Sequence, residues 1–214
     1  MSLILHSFFR SSTSFRVRVA LNLKEQSYEQ LSYNFREEQQ RSEKYLALNA
    51  QGLVPTLTTS EGEITQSLAI LEWLDETFPQ PSLLPKDPFG RARVRSLAHA
   101  IALDTHPINN LRVLNRLRGQ LGANDEDVAD WFRHWVALSF DAIETRLSRE
   151  TQTGTFCHGD EISQADICLA AQSVNNVRFN VDETPYPIIR GIVANCLKLP
   201  AFEKALPKNQ PDAV

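Results

Sequence analysis

The spacing of apolar residues changes character partway along the chain. In the first part, strand and helix periods take turns. Leu3–Phe8 reads as a short apolar strand, and Tyr28–Tyr33 alternates as a second. Between them Phe15, Val19, Ala20 and Leu23 recur at roughly helical spacing, which predicts a helix over Ser14–Lys24. Ser42–Leu48 predicts a short helical turn ended by Asn49 and Gly52. Thr56–Thr59 and Glu63–Thr65 flank Ser60-Glu-Gly62, the pattern of a tight hairpin. Ser67–Phe78 is amphipathic, with Leu68, Leu71, Trp73 and Leu74 as its expected core face. The order βαβ, then α, then ββα predicts a small α/β domain.

Pro79 to Pro88 holds four prolines in ten residues, which cannot continue a helix and mark the expected linker. Beyond it the pattern is helical. Gly90–His106 and Ile108–Gly119 are periodic and split by Pro107. Asp125–Arg149 predicts a long helix with Trp131, Phe132, Trp135, Leu138, Ile143 and Leu147 on its apolar side. Thr151–Gly159 reads as a loop. Ser163 and Asp166 have the spacing of a capping box, with Ile162 stapling onto Ile167 and Asp standing where Glu or Gln is usual. Pro187–Leu197 and Ala201–Leu206 are further helices, and the polar tail after Pro207 is expected to be loose. The expected division is an α/β domain over 1–80, a linker over 81–88 and an all-α domain over 89–214.

Composition narrows the function classes. The 214 residues carry a net charge of −4, with 42% hydrophobic and 22% charged residues. That balance lacks the basic footprint of a nucleic-acid binder. No apolar run approaches the roughly 20 residues of a membrane span, and the N-terminus lacks the basic start of a signal peptide. Cys157, Cys168 and Cys196 are an odd set without CxxC spacing. They point to a reducing compartment, taken as the cytoplasm, and to neither a disulfide framework nor a zinc site. His99 and His106 likewise lack zinc-motif spacing, so no metal is expected.

Three stretches carry candidate chemistry. In Arg10–Leu21 the hydroxyls of Ser11, Ser12 and Thr13 stand where the first helix begins, flanked by Arg10 and Arg16. Hydroxyls and the free N–H groups of a helix start stabilise a bound anion. Taken alone, the stretch is more commonly a plain helix cap with solvated arginines. In Val54-Pro55-Thr56 a proline opens a strand, where a cis bond would shape an exposed backbone edge able to pair with a bound peptide. An ordinary turn proline is about as common there. In Gln66-Ser67 the serine starts the next helix and is placed to hold a carboxylate, although a plain cap is commoner. Together the three suit a short anionic peptide carrying a reactive thiol. The cysteines lie late in the chain, so the thiol is expected to belong to a cofactor.

The chain resembles a zeta-class glutathione transferase, the class that includes maleylacetoacetate and maleylpyruvate isomerases. Arg-Ser-Ser-Thr-Ser-Phe-Arg-Val-Arg-Val-Ala-Leu at 10–21 is similar to the class signature. The segments 47–56, Gln66–Ile70 and Thr184–Pro187 also follow its pattern, and the resemblance covers nearly the whole length. It implies a thioredoxin-like N-terminal domain, an all-α C-terminal domain, glutathione as cofactor and a homodimer. It implies that Ser11, Ser12 and Thr13 face the glutathione sulfur, Gln40 and Val54 contact the tripeptide, and Gln66 and Ser67 hold its γ-glutamyl end. Asp104, His106 and Asn110 fall in a segment that lines the family's cleft. Arg178 resembles a family arginine that meets the substrate carboxylate, and Arg10 and Arg112 are further candidates for that task because the planar guanidinium suits carboxylates. For His106 the competing reading is a polar partner at a proline break, and for Arg178 a solvated helix-end arginine. Many members have Cys where this chain has Thr13, which retains a hydroxyl and loses the thiol. The implied activity is glutathione-dependent conversion of maleylacetoacetate to fumarylacetoacetate, in aromatic amino-acid catabolism. The alternatives are maleylpyruvate isomerisation, transfer to small α-halo acids and, more distantly, a non-catalytic glutathione-binding module.

Overall fold

The computed structural model describes residues 2–213. Two compact units emerge, Met1–Ser82 with Lys198–Val214, and Leu83–Leu197. In the first unit the described strands form a four-stranded sheet in the order β2-β1-β3-β4. β1 (Ile4–Ser7) runs parallel to β2 (Glu29–Ser32) and antiparallel to β3 (Thr56–Thr59), which turns back into β4 (Gly62–Thr65). A parallel pair needs a crossover, and α1 (Ser12–Leu23) supplies it. This is the small α/β domain that the alternating pattern predicts, in the thioredoxin-like arrangement that the resemblance implies.

α1 is buried on nearly every side. Phe15, Val17, Val19, Ala20 and Leu21 are all buried, and so are Arg16 and Arg18. Each large apolar side chain removed from water contributes about 1.5–3 kcal/mol. Arg18 is held by the Ala205 carbonyl at 3.1 Å, Ser7 Oγ at 3.0 Å and the Phe9 carbonyl at 3.1 Å. Burial pulls its pKa down to about 10, opposed by Tyr28 and Asp212, so it stays charged at neutral pH. α3 (Ser67–Thr77) buries Ile70, Leu71 and Leu74. Leu68 and Trp73, expected in its core face, are only half-buried, because Ile70 and Leu74, one turn apart, centre the inward stripe.

The tail departs from expectation. α10 (Pro200–Ala205) packs on α1, with the Phe202 and Phe15 rings 6.3 Å apart and Asn22 Nδ2 donating to the Ala201 carbonyl at 2.9 Å. Beyond it Gln210 is buried and donates to the carbonyls of Lys204 and Leu206 at 2.8 and 2.9 Å. The chain after Leu197 therefore belongs with the first unit, not with a helical domain running to 214, and it is not loose. The linker also shrinks. Lys24 Nζ donates to Asp75 and to the Pro81 carbonyl, Leu83 and Leu84 are buried, and Pro88 sits in the first turn of the next helix.

The second unit is helical. α4 (Pro88–His99) is capped by Asp87, whose Oδ1 accepts from Gly90 N at 2.7 Å. It does not stop before Pro107. It widens into a π-helical turn over Ala100–Thr105 and ends in α5 (His106–Ile108). The wider turn gives the proline ring room that a regular α-helix lacks. α6 (Leu111–Leu121), α7 (Asp125–Arg149), α8 (Gln164–Asn176) and α9 (Pro187–Leu197) follow. The buried face of α7 is Val128, Phe132, Val136, Phe140, Ile143 and Leu147. Leu138, predicted inward, is 52% exposed. It lies two residues from both Val136 and Phe140, hence on the opposite side of the helix. Trp131 and Trp135 are half-buried at the edge.

The capping box forms as the spacing predicts. Asp166 Oδ2 accepts from Ser163 N at 2.9 Å and Ser163 Oγ at 2.6 Å, while Oδ1 accepts from Cys157 N at 2.7 Å. No helix among the described residues is long and apolar enough to cross a membrane.

Candidate active site

The first turn of α1 commits its hydroxyls in an ordered chain. Ser11 is the N-cap, and its Oγ accepts from Ser14 N at 3.1 Å. Thr13 Oγ1 donates to the Val54 carbonyl at 3.0 Å. A hydroxyl has one proton, so the 2.8 Å contact between Ser11 and Thr13 is a bond donated by Ser11. Ser12 is buried in the same turn.

Val54-Pro55 is a cis peptide bond. Behind it the Leu53 carbonyl accepts from Tyr45 Oη at 2.6 Å and Asn49 Nδ2 at 2.8 Å. Both donors come from α2 (Glu43–Leu48) and the residue closing it. Burial raises the Tyr45 pKa, so the phenol keeps its proton for this bond. The Val54 backbone is thus tied to α1 on one side and α2 on the other.

Gln66 precedes α3 with φ at 71° and donates from Nε2 to Gln51 Oε1 at 2.7 Å. Ser67 is buried, and Arg16 Nη1 donates to its Oγ at 3.2 Å. Arg16 is only 1% exposed. The expectation of a solvated flanking arginine is therefore wrong for Arg16, because α1 is enclosed on all sides. The sequence carries no local signal for this guanidinium at the start of α3. Gln40 is buried, and its Oε1 has no hydrogen-bond partner. A Cβ at Gly52 would lie 3.0 Å from the Gln40 carbonyl, and Gly52 has φ of +61°. Glycine lets the two backbones approach and puts Gln40 beside the segment leading to Val54.

These residues fit a peptide thiol. The orphaned Gln40 oxygen calls for a donor such as a ligand N–H. Two helix starts with hydroxyls favour negative charge. No chain thiol competes: Cys157, Cys168 and Cys196 are buried, and burial raises the Cys157 and Cys196 pKa values. Among the described residues no His, Cys, Asp and Glu group could hold a metal ion.

Arg10 is exposed, as expected, with its guanidinium 4.9 Å from the Phe9 ring centroid. It lines a cavity of about 310 Å³ together with Tyr33, Arg36 and Asp212. Neither Arg36 nor Asp212 stood out in the sequence.

On the second unit, Asp104 is exposed in the π-helical turn. Asn110 caps α6 by accepting from Arg112 N at 3.1 Å, and its Nδ2 lies 3.4 Å from His106 Nε2. His106 and Asn110 are thus brought together across the proline break, and the Arg112 side chain is exposed. Arg178 is exposed on the turn Val177–Phe179, 5.2 Å from the Phe179 ring centroid. α7 moors both segments. Trp131 Nε1 donates to the Ile108 carbonyl at 3.1 Å, and Phe132 stacks on Phe179 with centroids 3.8 Å apart.

The fold and the capped first helix define the class: residues 1–76 match the family model for the glutathione S-transferase N-terminal domain. The chain is 44% identical to a probable maleylacetoacetate isomerase of Vibrio cholerae serotype O1, across 100% of this chain and 99% of that one. A solved holo structure of maleylpyruvate isomerase, described as a bacterial glutathione S-transferase of the zeta class, superposes with a TM-score of 0.96. It is 44% identical and covers 100% of both chains. Maleylacetoacetate isomerase of Methylobacterium extorquens AM1, solved with bound malonate and glutathione, also gives a TM-score of 0.96, at 40% identity over 99% of both chains. The chain belongs to the zeta class of glutathione transferases, the family of maleylacetoacetate and maleylpyruvate isomerases.

Proposed function

We propose that this protein is a glutathione-dependent cis–trans isomerase that converts maleylacetoacetate to fumarylacetoacetate. The observation that carries the proposal is the start of α1, where Ser11, Ser12 and Thr13 crowd one turn that is tied to the Val54 carbonyl. When bound, glutathione supplies a thiolate that adds reversibly to the cis double bond and leaves from the trans product.

In this reading the protein supplies binding and charge. The free N–H groups and hydroxyls at the start of α1 favour the ionised sulfur, as a helix start does for a protein thiol. Val54 pairs with the tripeptide backbone, and Gln40 turns its unpartnered oxygen to a ligand N–H. Gln66 and Ser67 hold the γ-glutamyl carboxylate at the start of α3, with the Arg16 guanidinium behind Ser67. Arg10 grips a substrate carboxylate through the planar fork that suits such groups. Arg112 and Arg178 are candidates for the same task, and Asp104, His106 and Asn110 are candidates for cofactor contacts. We also assign a homodimer and a cytoplasmic location.

Maleylpyruvate is the second substrate reading. It is favoured by the full-length likeness to maleylpyruvate isomerase at 44% identity. Isomerase assays on both substrates, with and without glutathione, test the function. Formation of fumaryl product must require glutathione, and appreciable product without it overturns the proposal. The ratio of kcat/KM values separates the two substrates.

A further inference from the structure

The loop that carries Arg10 is held by two opposite charges. Asp212 Oδ2 accepts from Phe9 N at 2.9 Å, which fixes the peptide before Phe9. Arg18 Nη2 donates to the Phe9 carbonyl at 3.1 Å, which fixes the peptide after it. With both flanking peptides held, the backbone angles of Phe9 are set. The buried Phe9 ring lies under the Arg10 guanidinium, so the placement of Phe9 governs where the Arg10 charge stands.

Asp212 reaches this loop from a rigid support. The preceding residues are moored by Gln210 to the Lys204 and Leu206 carbonyls, and by Asn209 Nδ2 to the Glu203 carbonyl at 2.7 Å. The Arg18 that holds Phe9 also holds the Ala205 carbonyl. One buried guanidinium therefore sets the spacing between the Arg10 loop and the tail. Asp212 also lines the cavity that Arg10 lines, and its Oδ1 is buried without a partner. A carboxylate so close to an anion site weakens binding unless it serves the geometry of that site.

We infer that Asp212 is a positioning residue, which presents Arg10 to the carboxylate of the substrate by fixing Phe9. The inference rests on the isomerase reading for its substrate, but the coupling of Asp212 to Arg10 is measurable without turnover. Binding of malonate to the glutathione-free protein, followed by calorimetry, is the primary test. Asp212→Ala weakens malonate by about tenfold, the scale of one charge-assisted hydrogen bond. It raises KM for the maleyl substrate by a similar factor while leaving KM for glutathione within about twofold. Exchange of the Phe9 amide with solvent accelerates in the same variant. Asp212→Asn keeps an oxygen acceptor and recovers most of the loss. In an Arg10→Ala background, Asp212→Ala has no further effect on malonate.

Full additivity of the two substitutions overturns the inference. So does an Asp212→Ala protein that loses kcat alone, or a wild-type protein whose malonate binding is indifferent to Arg10. If Asp212→Ala does not fold, Asp212→Asn carries the same cycle, and its smaller effect must also vanish without Arg10. A protein that binds malonate through Arg10 yet forms no fumaryl product refutes the proposed function and leaves the coupling standing.

Discussion

Thr13 Oγ1 donates to the carbonyl of Val54 across 3.0 Å, and this bond ties the first turn of α1 to the strand entrance opposite. It also dictates the proton order beside it. Thr13 has spent its only proton on Val54, so it accepts from Ser11, whose own proton is spent in turn. The position where many zeta-class members have Cys is thus occupied by a structural hydroxyl.

The proton order bears on two of these side chains. With the Ser11 and Thr13 protons committed, Ser11→Ala and Thr13→Ala are expected to raise the pKa of bound glutathione only slightly, because the free N–H groups of the helix start favour the thiolate. Thr13→Val removes the tie to Val54 and acts on binding, raising KM for glutathione several-fold with a smaller effect on the sulfur. Titrating the ultraviolet absorbance of the bound thiolate in each variant checks this. A large rise in Ser11→Ala or Thr13→Val would show that the lost hydroxyl donates to the sulfur and not along the chain to Val54.

If Gln40 binds glutathione as proposed, it is expected to trade stability for binding. Its side chain is buried with Oε1 unpartnered, which costs about 1–3 kcal/mol without a ligand. Gln40→Leu has similar volume and no orphaned acceptor. The expected result is an equal or higher Tm without glutathione, together with about tenfold weaker glutathione binding by calorimetry. A lower Tm with unchanged affinity would show that the residue serves only the core.

Features with local causes were legible in the sequence. The cap at Ser11, the Ser163–Asp166 box and the Val54-Pro55 start each depend on residues a few positions apart. The features that escaped depend on distant partners. Arg16 and Arg18 resemble solvated charges, yet α1 is enclosed on all sides and their partners include Ser67 and the Ala205 carbonyl. Gln210 and Asp212 stand in a polar tail with no periodicity, and Asp212 finds its partner at Phe9. In sequence Pro107 marks a break, because a regular helix clashes with its ring, whereas a π-helical turn absorbs it. The apolar chemistry of Leu138 points inward, and the phase of its neighbours puts it outside.

Asp166 stabilises the second unit as an acceptor of hydrogen bonds. It is fully buried and accepts from Cys157 N, Ser163 N and Ser163 Oγ. Asp166→Asn keeps the shape and places an NH₂ group against donors. A loss of about 2–4 kcal/mol is expected, the cost of a broken cap and an unsatisfied buried donor. Urea unfolding measures it. Ser163→Ala, which removes one donor and leaves the carboxylate with two, should cost less than half as much; equal losses would contradict the role assigned to the Cys157 bond.

His6 should make stability fall in mild acid. It is buried in β1, with Nδ1 2.7 Å from Tyr33 Oη and Nε2 3.1 Å from Thr58 Oγ1. The neutral ring satisfies both contacts by accepting from the phenol and donating to the threonine. Burial lowers its pKa below 6.5, the attraction of Glu63 and Glu29 resists, and Lys44 adds to the lowering. Above pH 6.5 the ring is neutral in both the folded and the unfolded chain, and its contribution is fully present. As pH falls below that value the unfolded chain takes up the proton first, so folding loses stability until the folded pKa is passed. Asp160 and Asp182 do not share this window, because hydrogen bonds from Thr155 and Thr184 hold them below the usual carboxylate range. The consequence reaches the site through the rings. Tyr33 packs edge-on against Tyr45 at 4.5 Å, and Tyr45 holds the Leu53 carbonyl next to Val54. Unfolding free energy and KM for glutathione, both followed from pH 8 down to about pH 5, should therefore worsen together in the wild type. In His6→Gln the stability slope over that window should flatten. A slope that survives in His6→Gln assigns the acid loss to another group.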